Sequence, residues 1–331
     1  MTATAAATQE AHATTPRLTI VIEWENVLLA EAERALRMLT TLGRQVADLG
    51  WPAEALVLFD DGEVDRAMVE RAVAASRLDR HQAVSVELIA VRGLHYYDLK
   101  NAGASRARGD IVVFLDSDVV PEQGWLANLL EPFSRPDVEV VGSNPYIEAT
   151  SLYSKMFALT WFFPLRTEHG PVRPARQFYA NSVAFRRATL AAHPFPTGDG
   201  RARGACTTLS MMLRDEGITV WCNPRAKVAH PPPNGLRHFL VRALYDGHDR
   251  AVEVRRRHDA PALVLARGVA QNALETGRGL FRILRYRTHV GLDGTGVPAV
   301  LALSMTYAAV RMAGYLVATV RPDAIPDRFS I

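Results

Sequence analysis

Two carboxylates set two residues apart, Asp116 and Asp118, close the segment Asp110-Ile111-Val112-Val113-Phe114-Leu115-Asp116-Ser117-Asp118. Ile111 to Leu115 is almost continuously apolar, which predicts a strand buried on both faces of a parallel sheet covered by helices. Ligands of such sheets gather beyond the C-terminal strand ends. Acids delivered there repel each other and lose hydration, so the pair requires a cation or a group of donors. A divalent ion bridging to phosphate oxygens meets that requirement. Taken alone, the pair also fits a solvated Asp-Ser-Asp turn.

The elements that must position these acids follow in order. Leu18 to Ile22 is a β-branched apolar run, and helical spacing extends from Leu28 to Leu49. Ala55 to Phe59 reads as a second strand and ends in Asp60-Asp61-Gly62. A helix from Val64 to Ser76, a strand from Val84 to Val91 and a helix from Tyr97 to Arg108 lead into the Asp110 strand. This alternation predicts an α/β protein with a mostly parallel, doubly wound sheet flanked by helices, in which one crevice collects the acids of two strand ends. After Pro121 the pattern shifts: Trp125 to Phe133 is helical, Val138 to Gly142 strand-like, Leu152 to Phe163 an aromatic-rich helix, and Pro164 to Arg176 a loop of lid-like length. A strand from Gln177 to Arg187, a helix from Thr207 to Glu216 and a strand from Ile218 to Cys222 precede His230 and three prolines.

The chain has 331 residues, is 48% hydrophobic and carries a net charge of +3. It is long enough to bury a full core in one large domain or two smaller ones. Charge is uneven: between Asn234 and Gly291 eleven Arg face five Asp or Glu. That excess suits an anionic membrane surface or a phosphorylated substrate, and no nucleic-acid partner is expected. With two cysteines, Cys206 and Cys222, neither a disulfide framework nor a zinc motif is present, so a cytoplasmic setting is the simplest expectation. Residues 1–16 read as a disordered tail without the n- and h-regions of a signal peptide.

Five segments in order resemble family 2 glycosyltransferases, which have the GT-A fold: Asn26 after the first strand, Asp60-Asp61-Gly62-Glu63-Val64-Asp65, the stretch from Lys100 to Asp110, Asp116-Ser117-Asp118, and Asn181-Ser182-Val183-Ala184-Phe185-Arg186-Arg187. The resemblance covers roughly Leu18 to His230. It implies a GT-A catalytic domain over 17–233, with a nucleotide-binding half (17–121) and an acceptor half (122–233), ahead of a helical region over 234–331. It also implies a nucleotide-sugar donor, a UDP-sugar being favoured, and a hydroxyl acceptor, with Mg²⁺ or Mn²⁺ and inversion at the sugar. Asn26 and Asn181 are implied nucleotide contacts. Asp60 or Asp61 is suited to accept a hydrogen bond from the base. Lys100 would place a point charge on the diphosphate while Asn101 braces loops, and Gly103 and Ala107 would let a helix pack close to the sheet. Asp118 is the expected direct metal ligand, with Asp116 at the ribose or a metal-bound water and His230 beside the metal or diphosphate.

Two departures qualify the resemblance. Family members usually carry Gly-Glu-Asp-x-Asp-Leu where this chain has Gly204-Ala205-Cys206-Thr207-Thr208-Leu209, so the acid that deprotonates the acceptor hydroxyl is missing there. Asp199, just upstream, is the favoured replacement, with Glu168 or His169 as others. Glu23-Trp24-Glu25-Asn26 stands where Pro-x-Tyr-Asn is common, and Trp24 is suited either to stacking on a base or to packing. A catalytically weak donor-binding subunit and a nucleotidyltransferase are the competing functions. Near the C-terminus, Val297 to Val320 is long enough to span a bilayer but has Arg311 near its middle. Arg278, Arg282, Arg285 and Arg287 alternate with Leu280, Phe281, Ile283 and Leu284 in a basic amphipathic pattern. Association with the inner face of the membrane and a lipid-linked acceptor would follow, against a soluble helical subdomain.

Overall fold

The computed structural model describes residues 16–28, 32–197, 204–258 and 260–325. The expected tail lies outside them except for Pro16. The first half of the chain contains β1 (Leu18–Glu23), α1 (Ala32–Leu49), β2 (Ala53–Asp60), α2 (Arg66–Ser76), β3 (Val84–Val91), α3 (Tyr96–Arg106) and β4 (Ile111–Asp116). Its four strands run parallel in the order β3-β2-β1-β4. Every residue of β1 and β4 is buried, as their largely apolar sequences lead one to expect of strands covered on both faces. Alternate residues of β1 feed two cores: Ile20 and Ile22 pack with Met38 and Leu39 of α1, while Val21 packs with Leu99 of α3. Trp24 is 1% exposed and belongs to the first of these cores, so it packs and does not face a ligand.

The second half contains β5 (Val120–Pro121), α4 (Trp125–Leu130), β6 (Val140–Ile147), α5 (Leu152–Thr160), β7 (Arg173–Pro174), β8 (Ser182–Arg186), α6 (Arg187–Ala192), α7 (Ala205–Asp215) and β9 (Val220–His230). Here the sheet becomes mixed. β8 lies antiparallel between β4 and β6, β9 runs parallel to β6, and β5 and β7 pair antiparallel with β9. The antiparallel insertion has a chemical result: the start of β8 meets the end of β4, and the Asn181 carbonyl accepts the Asp116 N–H at 3.0 Å. β9 runs past the expected end at Cys222, through a register shift opposite Gly142 and Asn144, and carries His230 to the same edge.

Three long helices complete the chain: α8 (Gly235–Arg257), α9 (Pro261–Tyr286) and α10 (Val297–Val320). A shared apolar cluster that includes Phe157, Phe239, Ile283 and Tyr307 joins them to α5, so the core continues across residue 233.

Candidate active site

Three strands and one helix converge on Asp116. The parallel register sets Glu23 of β1 directly beside it. Lys100 of α3 comes up from below, its Nζ 2.5 Å from Asp116 Oδ1. Gly103, one turn later, makes this approach possible, because a Cβ there would stand 2.4 Å from Val21 Cγ1. Tyr96 Oη donates to Asp116 Oδ2 at 2.6 Å, and Asn26 Nδ2 donates to the same oxygen at 3.2 Å. Asp116 is therefore satisfied from within the protein. Glu23 is wholly buried, and desolvation followed by the neighbouring Asp116 charge pushes its pKa up to about 8. The N–H groups of Glu25 and Asn26 and the Asn26 amide, which donate to it, oppose that rise.

Lys100 thus differs from its expected place. It is 0% exposed and its ammonium addresses Asp116 in place of a diphosphate. A lysine ammonium enters such an apolar setting only against a carboxylate, since an unpaired buried charge is costly. The same contacts make Asp116 an anchor of the strand end, not an open metal ligand.

Asp118 and His230 form the pair that faces the cavity. His230 Nδ1–H donates to the Pro231 carbonyl at 2.6 Å, which leaves Nε2 as the acceptor nitrogen, 4.0 Å from Asp118 Oδ2. Trp161 and Phe163 pack around the imidazole. Arg34 of α1, which sequence reasoning missed, holds the two loops together: its Nε donates to the Asp118 carbonyl at 2.5 Å and its Nη2 to the Ala229 carbonyl at 2.7 Å. Burial lowers the pKa of this guanidinium, and the nearby Asp118 and Glu148 charges partly restore it. No spacing motif marks Arg34; a lone arginine at the start of an otherwise apolar helical stripe was the available signal.

Asp118, His230, Asp116, Asn26 and Asn181 all line one cavity of about 870 Å³. Asn181 is 5% exposed, and its Oδ1 has no hydrogen-bond partner among the described residues. Asp60 and Asp61 do not line the cavity: Asp60 accepts the N–H groups of Gly62 and Gly93 at 2.8 and 2.7 Å, and Asp61 pairs with Arg92 at 2.9 Å. Asn101 ties α3 to the backbone N–H and carbonyl of Phe195 at 3.0 and 2.9 Å. Cys206 and Thr208 of α7 stand on the cavity wall where acids were expected. Glu168 and His169 are not on that wall; Glu168 pairs with Arg173, and His169 lies 3.4 Å from Lys227 Nζ. Asp199 lies outside the described residues, while Gly204, which follows it, lines the cavity. The far wall is built from α8 and α9 and includes Arg242, Arg250, Arg278 and Arg282.

Residues 29–187 match the sequence model of glycosyl transferase family 2. That stretch belongs to the family. The chain is also 30% identical over 198 residues to a pre-mycofactocin glycosyltransferase of Mycobacterium tuberculosis, an alignment that covers 56% of this chain and 41% of that protein. The chain therefore spans about two fifths of the length of this curated relative. Among solved structures, the mannosyltransferase PcManGT from Pyrobaculum calidifontis, in complex with GDP-Man and Mn²⁺, superposes with a TM-score of 0.55 at 16% identity, over 96% of this chain and 89% of that one. GalNAc-T7 with UDP, GalNAc and Mn²⁺ gives 0.50 at 12% identity, over 67% and 45%. The fold around the family 2 segment is GT-A, with a mixed sheet flanked by helices.

Asp118 and His230 fit a hard divalent ion: one carboxylate and one imidazole supply two donors, and diphosphate oxygens and water can complete the shell. Among the described residues no three His, Cys, Asp or Glu side chains are grouped so as to hold a metal ion by themselves.

Proposed function

We propose that the chain is a glycosyltransferase that moves a sugar from a nucleotide-sugar to a hydroxyl acceptor with inversion, using Mg²⁺ or Mn²⁺ at Asp118 and His230. The observation that carries this reading is the Asp118–His230 pair, held at 4.0 Å across the cavity by the Arg34 clamp. Bound there, a divalent ion supplies Lewis-acid stabilisation of the negative charge that grows on the leaving diphosphate. Asn26, Tyr96 and Asn181 present polar groups to the donor on the strand-end wall. The helical wall receives the acceptor, and its arginines favour an acceptor that carries negative charge. In-line attack then needs positioning and a base for the hydroxyl proton, a role we assign to Asp199. Motif resemblance favours a UDP-sugar, while the guanine nucleotide in the Pyrobaculum neighbour makes a GDP-sugar the first competitor.

Cys206 on the wall where family members place an acid supports a second reading, a donor-binding subunit of low turnover. A thermal-shift panel of UDP-, GDP- and dTDP-sugars with and without Mn²⁺ tests the donor site that both share. A metal-dependent shift for one base, lost in Asp118→Ala, supports it; no shift with any nucleotide sinks it. Release of nucleoside diphosphate on addition of acceptor then separates transfer from binding alone, and pyrophosphate in its place would identify a nucleotidyltransferase.

A further inference from the structure

Helix α9 presents to solvent a face that is largely apolar and otherwise basic. Its exposed residues are Pro, Ala, Leu, Val, Gly, Phe and Arg only. Its uncharged and acidic polar residues Gln271, Asn272, Glu275 and Thr276 are all partly withdrawn from solvent, on the side that also buries Val264, Gly268, Gly279 and Ile283. Leu274, Phe281 and Leu284 are 54, 61 and 59% exposed. They share one face with Arg267, Arg278 and Arg285, and Glu275, the one acid of the helix, points the other way, into ion pairs with Arg250 and Arg311.

Helix α10 continues the pattern. Every exposed residue along its 24 residues is uncharged, including Met305, Leu316 and Val320. Arg311, the charge that interrupts it in sequence, turns inward to Glu275 at 3.3 Å and Asn272 Oδ1 at 2.7 Å. The helix is also locked to α8 by a backbone seam: a Cβ on Gly247 would lie 2.0 Å from the Arg311 carbonyl oxygen, and one on Gly314 would lie 2.3 Å from that of Leu244. A helix so bound cannot cross a bilayer by itself, but it can lie along one.

We propose that α9 and α10 form a monotopic docking face for an anionic phospholipid bilayer. Leu274, Phe281 and Leu284 would enter the acyl boundary while Arg267 and Arg285 reach the phosphates, the arrangement by which basic amphipathic helices bind membranes. The complementarity is one of charge as well as shape, because the outward face of α9 carries arginine and no acid. Because Thr276, Gly279 and Arg282 of the same helix line the cavity, docking sets its helical wall beside the headgroup layer. An acceptor with a lipid anchor and an anionic head then reaches the site laterally. The docking face stands on its own geometry; only this last step rests on the transferase reading.

The test is sedimentation of the full chain with vesicles of phosphatidylcholine alone or mixed with phosphatidylglycerol. Expected is binding to the anionic vesicles only, weakening with salt, reduced at least about tenfold by Phe281→Asp with Leu284→Asp. Arg267→Glu and Arg285→Glu should each reduce it about fivefold. Melting temperature and the nucleotide-induced thermal shift are measured on the same variants, so that a folding defect or a failed donor site is told apart from lost docking. Three results overturn the proposal: no binding to anionic vesicles at low salt, resistance of the bound protein to alkaline extraction, which marks a span, or a dimer in solution that Phe281→Asp with Leu284→Asp dissociates.

Discussion

The two walls of the cavity are built on different principles. The strand-end wall places Asp116 and His230 by sheet register in β1, β4, β6 and β9, and Asp118 and Asn181 in the turns immediately next to β4 and β8. The helical wall places Cys206, Arg242 and Arg282 by the packing of α7, α8 and α9, with no ladder to fix them. Register is local and periodic, and it leaves short motifs. Helix packing is set by many side chains far apart in sequence, and it leaves a composition. On the proposed reading, the wall that would meet the donor is accordingly the one with motifs, and the wall that would meet the acceptor has arginines and a missing acid.

That contrast can be broken or sharpened. The largest effect is expected beneath the strand-end wall: Lys100→Met leaves Asp116 buried against Tyr96 and Asn26 without its cation, and should destabilise the fold by about 3–5 kcal/mol in denaturant titration. A change below 1 kcal/mol, on the order of a solvent-exposed pair, would show that the pair is not closed in solution. Asp118→Ala should leave folding nearly unchanged and lower turnover about 10³-fold, because its carboxylate faces the cavity. Asp199→Asn is expected to reduce kcat about 10²-fold with KM little altered; full retention of kcat would move the base to the helical wall. The smallest effect belongs to Arg34→Met, which removes two buried hydrogen bonds. It should cost about 2 kcal/mol in stability and raise the Mn²⁺ concentration needed for activity. Equal metal dependence in both proteins would reduce Arg34 to a packing residue.

How much could be read from the residues follows the same division. Buried strand β4 was legible because five apolar residues in a row leave few alternatives, β1 because its apolar residues are largely β-branched, and Asp116-Ser117-Asp118 stood out at the end of β4. Asn101 and Gly103 were legible as parts of a helix that must approach a sheet. Lys100 was misplaced because its spacing shows which face of α3 it occupies but not that Gly103 draws this face down onto β1. The antiparallel insertion of β8 was invisible, since a short apolar strand carries no mark of direction. Asp60 and Asp61 illustrate a further limit: an acidic turn after a strand serves the turn itself as readily as a ligand, and here Gly62, Gly93 and Arg92 take up its oxygens.

The ion pair under Asp116 also governs electrostatic balance. Lys100 cancels the Asp116 carboxylate and burial favours the neutral form of neighbouring Glu23, so on the proposed reading an incoming dication would meet chiefly the charge of Asp118. Such a site would attract a free metal weakly and acquire most of its negative charge only when a diphosphate arrives. On the proposed reading, metal and nucleotide would then be thermodynamically linked, each raising the affinity of the other by the same factor. Under the proposed reading, the enzyme would load its donor as a metal complex and release both together once the sugar is gone.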